Sequence, residues 1–128
     1  LVDSAKNIIQ ATYFDLPVIV DGDTGFGGTP NVRKTIRQLA AIGAAAVSIE
    51  YQVFPKRCTY VAGTGVTVVS RDDSKQRIRA ALAAQQEVWE QTDQHLLVIA
   101  RTDCRMALGF EEAGERCLLY QDLGADMC

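Results

Sequence analysis

The amino-acid sequence predicts an α/β fold in which helices cover a parallel β-sheet. Short, β-branched apolar runs recur along the chain, and segments whose apolar residues have helical spacing separate them. The runs lack an apolar–polar alternation, which is typical of strands buried on both faces. Crossovers between parallel strands are right-handed almost without exception. These patterns leave open a doubly wound sheet or part of a parallel (β/α)8 TIM-type barrel.

The predicted elements alternate along the chain. Strands are predicted at residues 17–20, 45–49 and 96–100, and another begins at residue 125. Helices are predicted from Val2 to Tyr13, from Thr29 to Gly43, from Ser70 or Asp72 to about Thr92, and from Phe110 to Leu123. Thr29 is a candidate N-cap, and Pro30 suits the first turn of its helix. The third helix is expected to bury Ile78, Leu82 and Trp89.

The length of the chain limits how much of a barrel it can form. A complete barrel normally needs ~250 residues, and this chain has 128. A barrel would therefore make residues 1–128 a single partial domain of about four β/α units, truncated at both ends and covering roughly half of the barrel. The chain starts with Leu1 and stops within a predicted strand. We expect a piece of a longer protein.

Composition argues against several classes of partner. The formal net charge of −3 gives no basic surface for nucleic acid, and no apolar run approaches the ~20 residues that a membrane helix requires. The four cysteines include no CxxC pair, and the lone histidine gives no zinc-finger spacing. We therefore expect no nucleic-acid or membrane partner and a reducing, cytoplasmic location.

Charged residues follow each predicted strand. Asp21 and Asp23 follow the first, Glu50 the second, and Arg101 and Asp103 the third. Because the carboxyl ends of parallel strands share one edge, these groups are expected to converge on one pocket. An oxygen-only set of carboxylates suits Mg²⁺, and Arg101 could bind a substrate carboxylate through two hydrogen bonds. The alternative is that these are solvated loop charges or helix caps.

The glycine-rich loop at residues 25–28 imitates a dinucleotide-binding turn between a strand and a helix. Pro30 stands where that fingerprint has its third glycine, and Asp21 and Asp23 would aim negative charge at a pyrophosphate. We therefore expect the glycines to let the backbone turn tightly beside a metal. Gly25 is in addition a candidate for substrate binding.

The long segment from Tyr51 to Arg71 has no helical period. It contains Cys58 directly after two cations, Lys56 and Arg57, a setting that favours the thiolate. The length of the segment, with Gly63 and Gly65 as candidate hinges, suits an active-site lid. The alternative is a mobile surface loop with an incidental cysteine.

Four stretches of the sequence resemble signatures of the isocitrate lyase/phosphoenolpyruvate mutase superfamily, in the same order and spacing. They are residues 20–28 with Asn31-Val32, Ile49-Glu50, Lys56-Arg57-Cys58, and Ala100-Arg101-Thr102-Asp103. The resemblance, closest to methylisocitrate lyases, places the chain in the central portion of a (β/α)8 barrel. It implies Mg²⁺-dependent cleavage or formation of C–C or P–C bonds in 2-oxo or 2-hydroxy acids, in a homo-oligomer that is often tetrameric.

The resemblance also implies roles for individual residues. Asp21 and Asp23 would hold Mg²⁺ directly or through water, and Glu50 would hold its water shell. Arg101 would bind a carboxylate of the small acid substrate. Lys56 and Cys58 would lie on a gating loop, with Cys58 the acid that protonates an enolate-like product. The implied activity is that of a carbon–carbon lyase acting on a 2-hydroxy or 2-oxo dicarboxylic or tricarboxylic acid.

Some positions depart from the family pattern. P–C bond enzymes usually carry Asn where this chain has Cys58, which favours C–C chemistry. Lyases usually have Gly-His where this chain has Thr59-Tyr60, and Asp where it has Tyr51. These departures favour a divergent member acting on another oxo or hydroxy acid. The alternatives are a phosphonopyruvate mutase or hydrolase type of P–C bond enzyme and a non-catalytic half-barrel.

Overall fold

The computed structural model describes residues 1–59 and 65–128, which form alternating helices and strands. The strands are β1 (Ile19–Asp21), β2 (Ala46–Glu50) and β3 (Leu97–Arg101). The helices are α1 (Val2–Ala11), α2 (Thr29–Ala41), α3 (Arg71–Thr92), α4 (Cys104–Leu108) and α5 (Phe110–Asp122). Within the described residues no helix has both the length and the apolar character to cross a membrane.

The described strands form a parallel sheet in the order β1-β2-β3, which confirms the α/β class. Ile19 pairs with Ala46, and Ala46 pairs with Leu97 on its other side. The predicted further strand begins to pair beside β3, where Ile99 and Met127 form a parallel bridge. All three strands thus end at the same edge of the sheet.

One face of the sheet carries the hydrophobic core. The strand residues in that core are Val20, Val47, Ile49, Val98 and Ala100. On the opposite face Ile19 is 63% exposed and Leu97 is 47% exposed. The prediction that the strands are buried on both faces is confirmed for the central strand β2, four of whose five residues are buried, and is wrong for β1 and β3. Successive side chains point to opposite faces of a strand, and the helices contribute their buried residues to one face.

Helices α2 and α3 begin close to the predicted positions. Thr29 is the first residue of α2 and not its N-cap, which is Gly28, while Pro30 lies in the first turn as predicted. The N-cap of α3 is Ser70, whose hydroxyl accepts a hydrogen bond from the Asp73 backbone N–H at 3.1 Å. Such caps satisfy amide groups that have no partner within the helix.

The predicted burial along α3 is partly wrong. Ile78 is fully buried, and Leu82 is partly buried against the core. Trp89 is 46% exposed, and its ring lies against that of His95 at a centroid distance of 4.4 Å. Large amphipathic rings are often only partly buried, so helical spacing alone overestimated the apolar stripe of α3.

Two other boundaries differ from the predictions. Helix α1 ends at Ala11, before Tyr13, which is exposed and has a left-handed φ of 52°. The five-residue helix α4 was not predicted, since so short an element shows no periodicity. Helix α5 agrees with its prediction to within one residue.

The segment after β2 is closed at its base. The Val53 backbone N–H donates to the Thr67 carbonyl at 2.8 Å, and the Val69 N–H donates to the Tyr51 carbonyl at 3.0 Å. The buried Arg116 of α5 donates to the Val69 carbonyl at 2.9 Å. The predicted hinge Gly63 lies outside the described residues, so its role stays a prediction. The described stem fixes both ends of the loop.

Candidate active site

The glycine-rich loop after β1 packs tightly against its neighbours. A Cβ on Gly22 would lie 2.7 Å from Val47 Cγ2, and one on Gly25 would lie 2.7 Å from Val32 Cγ2. Gly25 also has a left-handed φ of +75°. Both positions therefore require glycine for close approach, and Gly25 additionally for its backbone conformation. This packing fixes the turn that carries Asp23 at the carboxyl edge of the sheet.

The turn itself is held by hydrogen bonds. The Asp23 backbone N–H donates to Asp21 Oδ1 at 2.9 Å, and the Asp23 carbonyl accepts from the Glu50 backbone N–H at 2.8 Å. The Gly25 carbonyl accepts from Thr35 Oγ1 at 3.4 Å. The loop thus attaches β1 to β2 and α2 and brings its two aspartates to the end of β2.

Two cations lie among these carboxylates. Arg101 Nη2 is 2.9 Å from Glu50 Oε2, and Nη1 is 3.6 Å from Asp21 Oδ2. Lys56 Nζ lies 3.1 Å from Asp23 Oδ1 and 3.5 Å from Glu50 Oε1. Asp21, Glu50 and Arg101 are the last residues of their strands, and Glu50 and Arg101 are paired in register. The predicted convergence of charge at this edge is therefore present.

Arg101 is oriented by a further carboxylate. Its Nε donates to Asp103 Oδ1 at 3.0 Å, and its Nη2 donates to Asp103 Oδ2 at 3.2 Å. Asp103 also accepts a hydrogen bond from Gln52 Nε2 at 2.8 Å. Burial acts to raise the pKa of Asp103, but hydrogen bonds from Gln52, Glu50 and Arg101 lower it below its ordinary value. Asp103 therefore stays ionised and fixes the guanidinium plane.

Glu50 is the most buried acid of the group, with 1% of its surface exposed. Its two carboxylate oxygens lie 3.5 Å from Lys56 Nζ and 2.9 Å from Arg101 Nη2. Burial, together with a hydrogen bond to Asp103 and the charge of Asp103, raises the pKa of Glu50 to about 7, although Arg101 and Lys56 act to lower it. Glu50 can therefore gain or lose a proton near neutral pH.

These groups border one cleft of about 310 Å³. Its lining residues are Asp21, Glu50, Gln52, Lys56, Arg57, Cys58, Thr59 and Arg101. Of the predicted site residues, Asp23 reaches the cleft through its contact with Lys56, and Gly25 is not part of the lining. Gln52 and the orienting role of Asp103 were missed. Their positions two residues after Glu50 and Arg101 were the available signal, because alternate residues share a face.

The residues that depart from the lyase pattern do not all lie at the cleft. Tyr51 is buried, and its ring packs against that of Tyr120 in α5 at a centroid distance of 5.1 Å. Burial raises its pKa above the ordinary value. Thr59 lines the cleft, and Tyr60 lies outside the described residues. The change at position 51 therefore affects the core and not the cleft.

The predicted metal ligands can be tested against this arrangement. The described residues contain no group of three or more His, Cys, Asp or Glu side chains arranged to hold a metal ion. The chemistry of the donors nevertheless suits Mg²⁺, because the set is all oxygen; Lys56 Nζ and Arg101 Nη2 lie 3.5 and 2.9 Å from the two oxygens of Glu50. Mg²⁺ usually keeps several waters and binds few protein ligands directly. These carboxylates therefore fit a water-rich Mg²⁺ site.

The fold and the cleft define a parallel α/β protein whose acidic and cationic groups meet at the carboxyl ends of its strands, where α/β enzymes bind substrates. A family model described as phosphoenolpyruvate phosphomutase matches residues 1–128, and the chain belongs to this family, within the PEP mutase/isocitrate lyase superfamily. The resemblance read from the sequence is thereby confirmed.

The relatives that this chain matches are longer proteins. A 2-methylisocitrate lyase of Aeropyrum pernix is 45% identical over 112 residues, which cover 88% of this chain and 33% of the relative. The crystal structure of a 2,3-dimethylmalate lyase superposes with a TM-score of 0.88 at 39% identity, covering 98% of this chain and 39% of that one. A phosphonopyruvate hydrolase in complex with oxalate and Mg²⁺ superposes with a TM-score of 0.79 at 32% identity, covering 98% and 39%. The chain spans between a third and two fifths of the length of these proteins.

Proposed function

We propose that the protein is a Mg²⁺-dependent carbon–carbon lyase that acts on a 2-hydroxy or 2-oxo dicarboxylic or tricarboxylic acid. One observation carries the proposal: a single cleft is lined by two carboxylates, three cations and the Cys58 thiol. An anionic substrate needs the cations, and breaking a C–C bond beside a carboxylate needs a proton donor. Relatives named as lyases of such acids support this chemistry.

We infer further that residues 1–128 form a single partial domain, an arc of a (β/α)8 barrel. Consecutive parallel strands in the order β1-β2-β3 and a core on one face of the sheet support this architecture. The exposed Ile19 and Leu97 side chains would then point into the barrel, where such apolar residues are packed in layers. The cleft at the carboxyl ends of the strands matches the position of barrel active sites.

Arg101 binds a substrate carboxylate in this proposal. Asp103 and Glu50 hold its guanidinium through contacts of 2.9 to 3.2 Å, and the Arg101 side chain is 33% exposed at the cleft. A guanidinium fixed from behind can present N–H groups to a carboxylate with little loss of side-chain freedom. It thereby sets the orientation of the bond that breaks.

Asp21 and Asp23 would hold Mg²⁺ directly or through water, and Glu50 would hold its water shell. When bound, the ion supplies positive charge that stabilises oxyanions of the substrate. The carboxylates of this chain also position Lys56, whose ammonium group lies between Asp23 and Glu50. The cleft thus keeps positive charge beside the place where negative charge develops.

Cys58 completes the reaction as the proton donor. After the 2-hydroxyl proton passes to the Glu50 carboxylate, which lines the same cleft, the bond between C2 and C3 breaks and the hydroxyl oxygen becomes the carbonyl of a 2-oxo acid. The electron pair moves to C3, which forms an enolate-like intermediate with its neighbouring carboxylate. Transfer of the thiol proton from Cys58 to C3 gives the second acid. Lys56 and Arg101, which line the same cleft, stabilise the intermediate electrostatically.

The test is a cleavage assay with 2-methylisocitrate, isocitrate and 2,3-dimethylmalate, with and without Mg²⁺, following release of a 2-oxo acid. Arg101→Lys loses the paired guanidinium contacts. A charged hydrogen bond contributes ~1.5–3 kcal/mol, so kcat/KM should fall about 10- to 100-fold. Arg105→Lys, at an exposed residue of α4, is the matched control and should keep wild-type activity.

The outcomes separate the alternatives. Cleavage of one of these acids that chelation of Mg²⁺ abolishes supports the proposal. Conversion of phosphonopyruvate to phosphoenolpyruvate, or to pyruvate and phosphate, without cleavage of the other acids, would instead indicate P–C bond chemistry. Absence of turnover on every acid, together with no calorimetric binding of oxalate in the presence of Mg²⁺, would refute the lyase proposal.

A further inference from the structure

Gln52 is a buried amide that the proposed mechanism leaves without a role. With 1% of its surface exposed, it lies at the start of the loop after β2, where it forms an antiparallel bridge with Val68. Its Nε2 donates to Asp103 Oδ2 at 2.8 Å, and its Oε1 accepts from the Arg57 backbone N–H at 3.0 Å. The side chain therefore joins two parts of the cleft that are far apart in the sequence.

Each end of Gln52 meets a group next to a proposed functional residue. Asp103, at one end, is the carboxylate that orients the Arg101 guanidinium. At the other end, the Arg57 N–H belongs to the peptide bond between Lys56 and Arg57, one residue before Cys58. A chain of hydrogen bonds thus runs from the loop backbone through Gln52 and Asp103 to Arg101.

The chemistry of these partners requires an amide. An ionised Asp103 can only accept a hydrogen bond, and a backbone N–H can only donate one. Glutamine presents a donor and an acceptor on one planar group, so it satisfies both partners at once. A carboxylate would place a second negative charge against Asp103, and an apolar side chain would leave both partners unsatisfied.

We propose that Gln52 is a positioning residue that sets the separation between the Lys56–Cys58 segment and Arg101, so that a substrate held by Arg101 meets the Cys58 thiol in reacting geometry. This inference rests on the proposed lyase function. The backbone bridge at Val68 fixes the base of Gln52, which lets the side chain act as a rigid spacer. Misplacement of reacting groups by about 1 Å can lower a rate ~10²-fold, so a spacer of this kind affects turnover.

The test compares two substitutions that break different parts of the link. Gln52→Glu keeps the acceptor for the Arg57 N–H but loses the donor to Asp103. It should mainly weaken the binding of the substrate carboxylate by Arg101 and raise KM about tenfold or more. Gln52→Leu also releases the loop, so it should additionally lower kcat about tenfold or more. The rate of alkylation of Cys58, mapped by mass spectrometry, reports the position of the loop without turnover. It should change at least about fivefold in Gln52→Leu and stay within about twofold of wild type in Gln52→Glu.

Gln85→Leu is the matched control. Gln85 also donates two hydrogen bonds, to the Leu96 carbonyl and to Asp126 Oδ2, each at 2.7 Å, but it lies on α3 outside the cleft. It should alter stability and leave kcat, KM and the alkylation rate of Cys58 unchanged. If Gln52→Leu matches Gln85→Leu in all three readouts, Gln52 is merely structural and the inference fails. A wild-type protein that cleaves none of the acids would refute the lyase function itself, which is a different result.

Discussion

The substitution Gly25→Ala tests whether the glycine-rich loop is set by close packing. Gly25 has a φ of +75°, and an added Cβ would lie 2.7 Å from Val32 Cγ2, whereas ordinary contacts begin at 3.4 Å. Val32 is fully buried in α2, and side chains in close-packed interiors can shift only slightly. We therefore expect the clash to be relieved by movement of the loop that follows Asp21 and carries Asp23.

The expected magnitude has two parts. A left-handed conformation costs a residue with a Cβ ~1–2 kcal/mol, and overpacking a filled site costs ~1–3 kcal/mol. Together they predict a loss of about 2–5 kcal/mol in the free energy of unfolding, a large fraction of the total for a typical domain. Urea unfolding followed by circular dichroism, on the expressed protein, measures this loss.

Gly124→Ala separates the two parts. Gly124 has a φ of +99°, but its added Cβ would make an ordinary contact of 3.7 Å with Leu82 Cδ1. It should therefore lose only the backbone part, ~1–2 kcal/mol. The double variant Gly25→Ala/Val32→Ala should be less destabilised than the sum of its single variants by ~1–3 kcal/mol. Two results together would refute the packing explanation. Gly25→Ala would lose no more free energy of unfolding than Gly124→Ala, and the losses of Gly25→Ala and Val32→Ala would add up in the double variant.

Three single side chains, Glu112, Cys58 and Tyr51, offer further tests. Hydrogen bonds from Arg71 and Arg116 lower the pKa of Glu112 from 4.5 to about 2, so its stabilisation should be complete above pH 4.5 and lost as the pH falls through about 2. Urea unfolding should therefore show Glu112→Gln destabilised at pH 7, with the difference closing near pH 2; a pH-independent difference would contradict it. Cys58→Ser should lower kcat ~10²-fold or more, as expected for loss of a proton donor, with oxalate binding measured by calorimetry unchanged; unaltered kcat would exclude the proposed role. The Tyr51 hydroxyl is buried without a hydrogen-bond partner among the described residues. Tyr51→Phe should therefore raise the free energy of unfolding by about 1 kcal/mol without affecting turnover. A loss of stability would show that the hydroxyl forms a hydrogen bond.

The positions of the strands and of the charged edge could be predicted from the sequence for a physical reason. Parallel strands are short apolar runs, and their carboxyl ends share one edge. Asp21, Glu50 and Arg101 could therefore be assigned to one cleft without knowledge of their distances. The exposure of Ile19 and Leu97 could not be predicted, because an apolar run is the same in sequence whether or not its second face is covered.

Contacts between segments that are distant in the chain could not be predicted from the sequence. Lys56 approaches Asp23 and Glu50 because the loop after β2 folds back over the end of the sheet. Gln52 and Asp103 are separated by 51 residues in the chain. No local pattern encodes such a meeting, since it depends on the path of a segment without regular structure. Sequence reasoning therefore found the groups that carry charge and missed the neutral amide that links them.

The alternation at the end of β2 affects how relatives of this protein should be compared. Glu50 and Gln52 face the cleft, whereas Tyr51 between them packs against Tyr120. A sequence signature that spans residues 50–52 therefore combines two cleft residues with one core residue, and these are subject to different constraints. Variation at position 51 should follow variation at position 120, as the two rings change size together. Variation at positions 50 and 52 should instead follow the acid that each relative consumes.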